Sequence, residues 1–442
     1  MFEKMIRSVS NLVVEIAETS VFFLVRTVAL FLGKSCTCLS FLSGKLVLCA
    51  YLFLGCLNVS GQSQSAKIIT MDEAVRNALV NNPVAKNSEL KVQLANSQKQ
   101  SVIGFGTTRV NYGYGQIYSA VNDNYVEVVQ NFGAPATFSR KRTLVNQLIK
   151  LSESEQKLAI KQLTVEVKTT YMNVIYQRNR LKMLHEESLL FAGFEEFVKL
   201  HYGTDDKDLL ARTTAETQYA SIQNQLFQAE QDYRIAENQL QQVEYSEDNL
   251  LPADSTLEMY SIQFSRIGTD KFFPQDYLSY YEKICNVSSS AYQLERSKFS
   301  PELYAGYFNH EIGKVKGFEG FTVGVSFPIW FLAQKAKTTE ARITFNMAQN
   351  DVEYQKFSIQ KTIDNLKIQL DKLFVQISYY RENALNQADL MLINEGLKLT
   401  NRELKYHEYL QSVGASFKIK LDYLESVRQY NLTAFQLEYY IN

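Results

Sequence analysis

The side chains of this 442-residue chain best suited to hold a metal are four histidines and five cysteines, and their spacing is poor for it. Cys36-Thr37-Cys38 offers two thiolates, which do not complete a tetrahedral site. His201 and His407 each stand beside a tyrosine and close to an acidic residue. A His/carboxylate cluster of that kind could hold a borderline metal transiently, although two solvated surface histidines account for the same residues. His185 and His310 occupy polar positions of a helix and a strand. Asp205, Asp206 and Asp208 crowd one turn at a helix start, where the helix dipole favours negative charge in any case. There is no nucleophile elbow, phosphate loop, metalloprotease helix or paired catalytic carboxylate. The chain is not expected to be an enzyme or to carry a cofactor.

Composition narrows the class further. The chain holds 46 Lys+Arg and 47 Asp+Glu, a net charge of −1. Binding of nucleic acid, which requires a basic field, is not expected. Only 6 Pro and 19 Gly interrupt it, so long elements are expected, and 27 Phe and 27 Tyr concentrate in the candidate strands and near helix ends.

Residues 1–61 read as a leader. An apolar core at 46–57 follows Lys45, and Val59-Ser60-Gly61 supplies the small residues a cleavage site needs. The core is too short to span a bilayer as a helix. A second apolar run at Val21–Leu32 is not needed for export, which places the natural start further downstream. A lipid anchor at Cys56 is the weaker reading, because Phe53-Leu54-Gly55 is a poor lipobox. Four of the five cysteines fall in this leader, leaving Cys285 with no internal disulfide partner.

The elements of the remaining chain fall into two similar halves. Phe321, Val323, Val325 and Phe327 alternate with Thr322, Gly324 and Ser326, so a strand there turns one apolar face outward. Pro328 and Trp330 follow, and the period then becomes helical from about 334 to the end of the chain. An earlier hairpin, about 108–132, alternates Val110, Tyr112, Tyr114 and Tyr118 with small and polar residues. From about 138 to 202, Leu163, Val167, Tyr171, Val174, Leu181 and Leu184 recur at coiled-coil spacing, and such a helix is roughly 100 Å long. A helical hairpin over about 138–243 turns at Gly203-Thr204-Asp205-Asp206. The first repeat is thus 66–245, a linker runs over 246–273, and the second repeat is 274–442, with its β-hairpin about 302–328 and its helical hairpin about 334–442. Gly203 and Gly414 each precede a tyrosine by the same interval, Tyr219 and Tyr430, which puts the second helical turn at Gly414; equal helix lengths would place it at 400–408.

The expected fold is mainly α with transmembrane β: a two-fold repeat of long α-helical hairpins plus two β-hairpins. Four strands per chain cannot close a barrel, and an open edge in lipid leaves backbone groups unpaired, so several chains must share one barrel.

The order of these elements resembles the TolC-like outer membrane efflux factor family over residues 66–442. The stretches that carry the likeness are I-T-M-D-E-A-V-R-N-A-L-V-N-N-P at 69–83, Y-G-T-D-D-K-D-L-L-A-R-T-T-A-E-T-Q-Y at 202–219, F-T-V-G-V-S-F-P-I-W-F at 321–331 and V-G-A-S-F-K-I-K-L-D-Y-L-E-S-V-R-Q-Y-N-L at 413–432. The block at 301–331 is most similar to the CusC-like, heavy-metal branch. The resemblance implies a homotrimer with a twelve-stranded barrel in outer membrane lipid and a helical tunnel across the periplasm. It also implies docking to a periplasmic adaptor and an inner membrane pump of the resistance-nodulation-division class. The cargo, heavy-metal cations or drugs, would pass through passively.

The same resemblance assigns roles to residues. Acidic residues near the helical turns constrict the tunnel in the family, which nominates Asp205, Asp206 and Asp208 at the first turn and Asp422 and Glu425 near the second as a pore gate. Lys418 and Lys420 intervene at the second turn, a departure from the family pattern. Trp330, Phe331, Tyr112, Tyr118 and Phe308 are candidates for aromatic belts at the membrane interfaces, and Phe321, Val323, Val325 and Phe327 for the lipid-facing strand. Arg140-Lys141-Arg142 and the pair Lys335 and Lys337 would sit just inside the membrane. Two other readings fit the same elements: the outer membrane component of a type I protein secretion system, and a periplasmic coiled-coil scaffold or adaptor.

Overall fold

The computed structural model describes residues 67–441 other than 103, 105, 202–205, 262–273, 328–330 and 402–405. The chain enters through a short strand β1 (Lys67–Ile69) and two helices, α1 (Met71–Asn81) and α2 (Pro83–Ser97). Thr70 and Glu73 close a capping box on α1: the Glu73 amide donates to the Thr70 hydroxyl at 3.3 Å and the Thr70 amide to the Glu73 carboxylate at 2.9 Å. Asn82 then caps α2 by accepting from the Val84 amide, and its amide nitrogen donates to the Val243 carbonyl at 2.7 Å, tying the helix pair to a distant part of the chain.

Two hairpins form one antiparallel sheet in the order β2 (Thr108–Gly115), β3 (Asp123–Gly133), β5 (Glu302–Ile312), β6 (Val315–Ser326). The second hairpin therefore pairs with the first through β3 and β5, with Val128 opposite Tyr307. Each hairpin leads into a long helix. The first, α3 (Pro135–His201), has 67 residues and is partnered by α4 (Asp206–Glu244). The second hairpin is followed by α6 (Leu332–Tyr379), a π-helical turn at Tyr380–Ala384, α7 (Leu385–Asn401) and the returning α8 (Tyr406–Ile441). Helix α5 (Gln275–Ser297) lies against both α3 and α6. Of the seam residues on α3, Leu163, Val167, Tyr171, Val174 and Leu184 are buried, while Leu181 is half-buried at the rim.

Two features differ from the sequence reading. The region 246–273 is not only a linker: Leu250–Pro252 forms a strand β4 that pairs in parallel with β1, Lys67 opposite Leu250. Tyr171 locks this pairing from α3, its hydroxyl within hydrogen-bond reach of the Ile69 carbonyl at 3.1 Å and the Asp254 carboxylate at 2.9 Å. The second helical turn is not at Gly414, which lies inside α8; α7 ends at Asn401 and α8 begins at Tyr406. Glycine weakens a helix interior by only about 1 kcal/mol, which the burial of Tyr409, Val413 and Phe417 on the same helix outweighs.

Candidate membrane sheet and tunnel tip

Register decides what each face of the sheet presents, because directly paired residues point the same way. Val325 pairs with Leu303, Val323 with Ala305 and Phe321 with Tyr307; Tyr307 with Val128, and Val128 with Val110; Tyr112 pairs with Val126. The row Phe321, Tyr307, Val128 and Val110 is thus apolar across all four strands, while the Val323 and Ala305 row ends in Gln130 and Thr108 on β3 and β2. Phe321 is 84% exposed and Val323 81%, and Val325, Phe327, Val110, Tyr112 and Tyr114 are exposed beside them. At its upper margin Tyr307 donates from its hydroxyl to Glu319 at 2.6 Å, next to Asn309 and Asn124, so a polar rim bounds the apolar band.

The opposite face carries Arg109, Asn111, Glu127 and His310, with Asn111 donating to Glu127 at 3.0 Å. Large rings lie flat over glycines there. A β-carbon on Gly324 would come 2.2 Å from the Tyr304 ring, and one on Gly320 2.6 Å from the Phe308 ring. This corrects the expectation for Phe308, which faces away from the apolar band and packs on Gly320 and on His310, ring centroids 5.0 Å apart. Tyr118 is also displaced from its expected strand position: β2 ends at Gly115, and the Tyr118 ring stacks on His310 at 5.4 Å from the connecting loop. Phe331 borders α6 with its ring 6.1 Å from Phe299, whereas Trp330 lies outside the described residues. Lys141 is drawn to the Ser101 carbonyl at 2.9 Å.

At the far end of the helices, the first turn, with Asp205, lies outside the described residues; His201 closes α3, and Asp206 and Asp208 open α4. The two hairpins are joined there by a small core of Phe191, Phe194, Val198, Ala211, Tyr409 and Phe417. Tyr409 also donates to the Leu190 carbonyl at 3.3 Å. Among charged groups, Lys398 on α7 bridges Glu395 at 2.9 Å and Glu408 on α8 at 4.0 Å, and Lys420 on α8 pairs with Asp389 on α7 at 2.6 Å.

Asp422 and Glu425 stand elsewhere. They lie within α8, roughly 25–30 Å along the helix from Tyr406 at about 1.5 Å per residue, well away from the start of that helix. Asp422 lies 3.3 Å from Lys418. Glu425 accepts two hydrogen bonds from Arg428, at 2.6 and 2.8 Å, and one from Gln429, and the Arg428 guanidinium covers the Tyr176 ring at 4.9 Å. Burial disfavours the Glu425 charge, but these donors outweigh it and hold the carboxyl below its ordinary range. The arrangement braces α8 against α3. His407 opens α8 rather than preceding the turn, and no group of three or more His, Cys, Asp or Glu among the described residues could enclose a metal ion. Among the described residues no helix is long and apolar enough to cross a membrane.

A long helical body beneath a four-stranded antiparallel sheet is the fold of TolC-like outer membrane channels. The solved structures that share it include CusC, at 15% identity and a TM-score of 0.69, with 84% of this chain and 92% of that chain covered. The MtrE outer membrane channel of Neisseria gonorrhoeae, in its open state, matches at 13% identity and a TM-score of 0.68, covering 84% and 88%. The CmeC outer membrane channel of Campylobacter jejuni matches at 13% identity and 0.69, covering 87% and 90%. No protein-family model and no curated protein matches the sequence.

Proposed function

We propose that this chain is the outer membrane conduit of a tripartite efflux assembly, in which three copies close one twelve-stranded barrel and their helices form a tunnel across the periplasm. The observation that carries this reading is the sheet β2-β3-β5-β6, in which β2 and β6 each leave one edge without a partner strand among the described residues, while one face exposes an apolar band. Edges of that kind are tolerated in hydrocarbon only when another strand pairs with them. Three fours make twelve, an even number within the range of known barrels. The protein then acts without chemistry: a periplasmic adaptor and an inner membrane pump of the resistance-nodulation-division class load the tunnel, and cargo leaves passively. Heavy-metal cations are the first cargo to test, on the likeness of 301–331 to the CusC-like branch. Asp205, Asp206 and Asp208, at and just after the first helical turn in sequence, would give the entrance its preference for cations.

The test is fractionation of membranes, followed by mass determination of the detergent-extracted protein and gel migration before and after heating. A heat-modifiable trimer in the outer membrane fraction, with single-channel cation selectivity that falls in an Asp205/Asp206/Asp208→Ala variant, supports the conduit. A water-soluble monomer or dimer in the periplasmic fraction overturns it.

A further inference from the structure

Near the tip, α3, α4 and α8 enclose a cleft of about 650 Å³. Each helix gives it one stripe at helical spacing: Glu187 and Phe191 from α3; Thr214, Gln218, Ile222 and Gln225 from α4; and the His407, Gln411, Gly414, Lys418 face from α8. The volume is that of a site for a small organic molecule. Its walls combine an aromatic ring, aliphatic side chains and neutral amides.

Two features mark the cleft as more than a packing fault. Glu187 is only 6% exposed, yet its carboxylate makes no hydrogen bond or ion pair within the described residues, and it lines the cleft. A buried carboxylate without a counter-charge is costly, and burial alone pushes the Glu187 carboxyl up to about 7. Gly414 also lines the cleft from inside α8, where alanine would serve the helix better. A β-carbon there would meet nothing within 4 Å, so the glycine leaves open space where any side chain would intrude.

We propose that this cleft binds an amphipathic organic monocation, its ammonium or iminium charge placed on Glu187 and its apolar body against Phe191 and Ile222. The other ionisable groups of the cleft come from α8: His407, Lys418 and Asp422, the last two 3.3 Å apart as an ion pair of their own. Helix α4 contributes only neutral groups, so Glu187 alone supplies an unmatched negative charge. A single such carboxylate is too few for a divalent metal, which seeks several anionic or imidazole ligands. An aromatic ring beside the carboxylate suits a delocalised organic cation.

The experiment is titration of the detergent-solubilised full chain with ethidium, followed by fluorescence anisotropy, with N-phenyl-1-naphthylamine as a neutral probe. Saturable ethidium binding is expected, weakened at least tenfold in Glu187→Gln and abolished in Gly414→Leu, with both variants keeping their helical circular dichroism. Affinity should rise with pH through about 7 in the parent and stay flat in Glu187→Gln. Equal ethidium affinity in the parent and both variants, or stronger binding of the neutral probe, overturns the proposal. So does saturation by zinc alone that Glu187→Gln abolishes, since it would make the site metallic. The reading does not depend on the conduit: a chain that binds ethidium as described but forms no channel loses the efflux role and keeps the site, and the reverse result separates them equally.

Discussion

The ring of Tyr409 stacks on that of Phe194, centroids 4.6 Å apart and planes within 17°, and so fastens the second helical hairpin to the first just above their turns. Both side chains are essentially fully buried. A tunnel whose entrance is set by the relative position of two hairpins depends on such a fastening. Tyr409→Ala is expected to destabilise the tip by about 3–5 kcal/mol through lost packing, and Tyr409→Phe by about 1 kcal/mol through the lost bond to Leu190. Planar-bilayer recordings should show larger mean conductance for the alanine variant. Unchanged conductance, with the fold intact, would mean the entrance is held elsewhere.

The brace between α8 and α3 predicts a dependence on acid. Glu425 is held below its ordinary range in the folded chain, so its contribution is present above the unfolded carboxylate range and is lost as pH falls through the depressed value. The parent should lose stability below about pH 4.5. Arg428→Ala should remove this slope on the acid side and cost about 1–2 kcal/mol at neutral pH. Thermal unfolding of both proteins from pH 3 to 7 reads the difference.

Glu244 behaves in the opposite sense. It is 1% exposed, accepts only from the Asn77 amide at 3.4 Å, and one of its oxygens has no hydrogen-bond partner among the described residues. Burial pushes its carboxyl up to about 7. A raised carboxyl is neutral when folded at low pH, so stability is full below the unfolded value and declines as pH rises to about 7. Glu244→Gln is expected to raise the unfolding midpoint at pH 8, by about 1–3 kcal/mol in stability, and to change little at pH 4. Equal destabilisation at both pH values would show that the carboxylate is paired.

The apolar sheet face makes a prediction about the membrane. Val323→Arg places a charge in the middle of the exposed band and should cost about 2–4 kcal/mol of assembly in lipid. The heat-resistant oligomer should weaken, whereas Thr322→Arg on the opposite face should leave it in place. Equal effects at the two positions would contradict the assignment of faces.

The crowding of rings over glycines can be probed separately. Gly324→Val forces the Tyr304 ring aside and should reduce the assembled form, and Tyr304→Ala in the same chain should restore it. Failure of that rescue would place the defect in the backbone rather than in the contact.

Much of this molecule is written in local pattern. Alternation at 321–327 requires a strand with an apolar side because the side-chain period of two leaves no other outcome. Thr70 and Glu73 fix the start of α1 through groups three residues apart. The scarcity of proline and the three- and four-residue spacing from Leu163 onward call for a very long helix. Such features depend on near neighbours, so the long helices and the two β-hairpins follow from sequence alone.

Contacts between distant segments are not legible in that way. The pairing of Lys67 with Leu250 joins segments far apart in the chain, and three-residue strands carry too little pattern to announce it. The orientation of Phe308 depended on the register of β5 against β6, where a shift of one residue exchanges the faces. Gly414 reads as a turn in sequence because it precedes Tyr430 by the interval that separates Gly203 from Tyr219, but packing of Tyr409, Val413 and Phe417 carries the helix through it. The position of Glu425 against Arg428 and Tyr176, and the isolation of Glu187 in its cleft, likewise required three helices to meet. Sequence determined the long helices, the two β-hairpins and the apolar side of the strand at 321–327. Tertiary structure alone decided which side chains share a site, because burial and charge pairing are properties of what folds together.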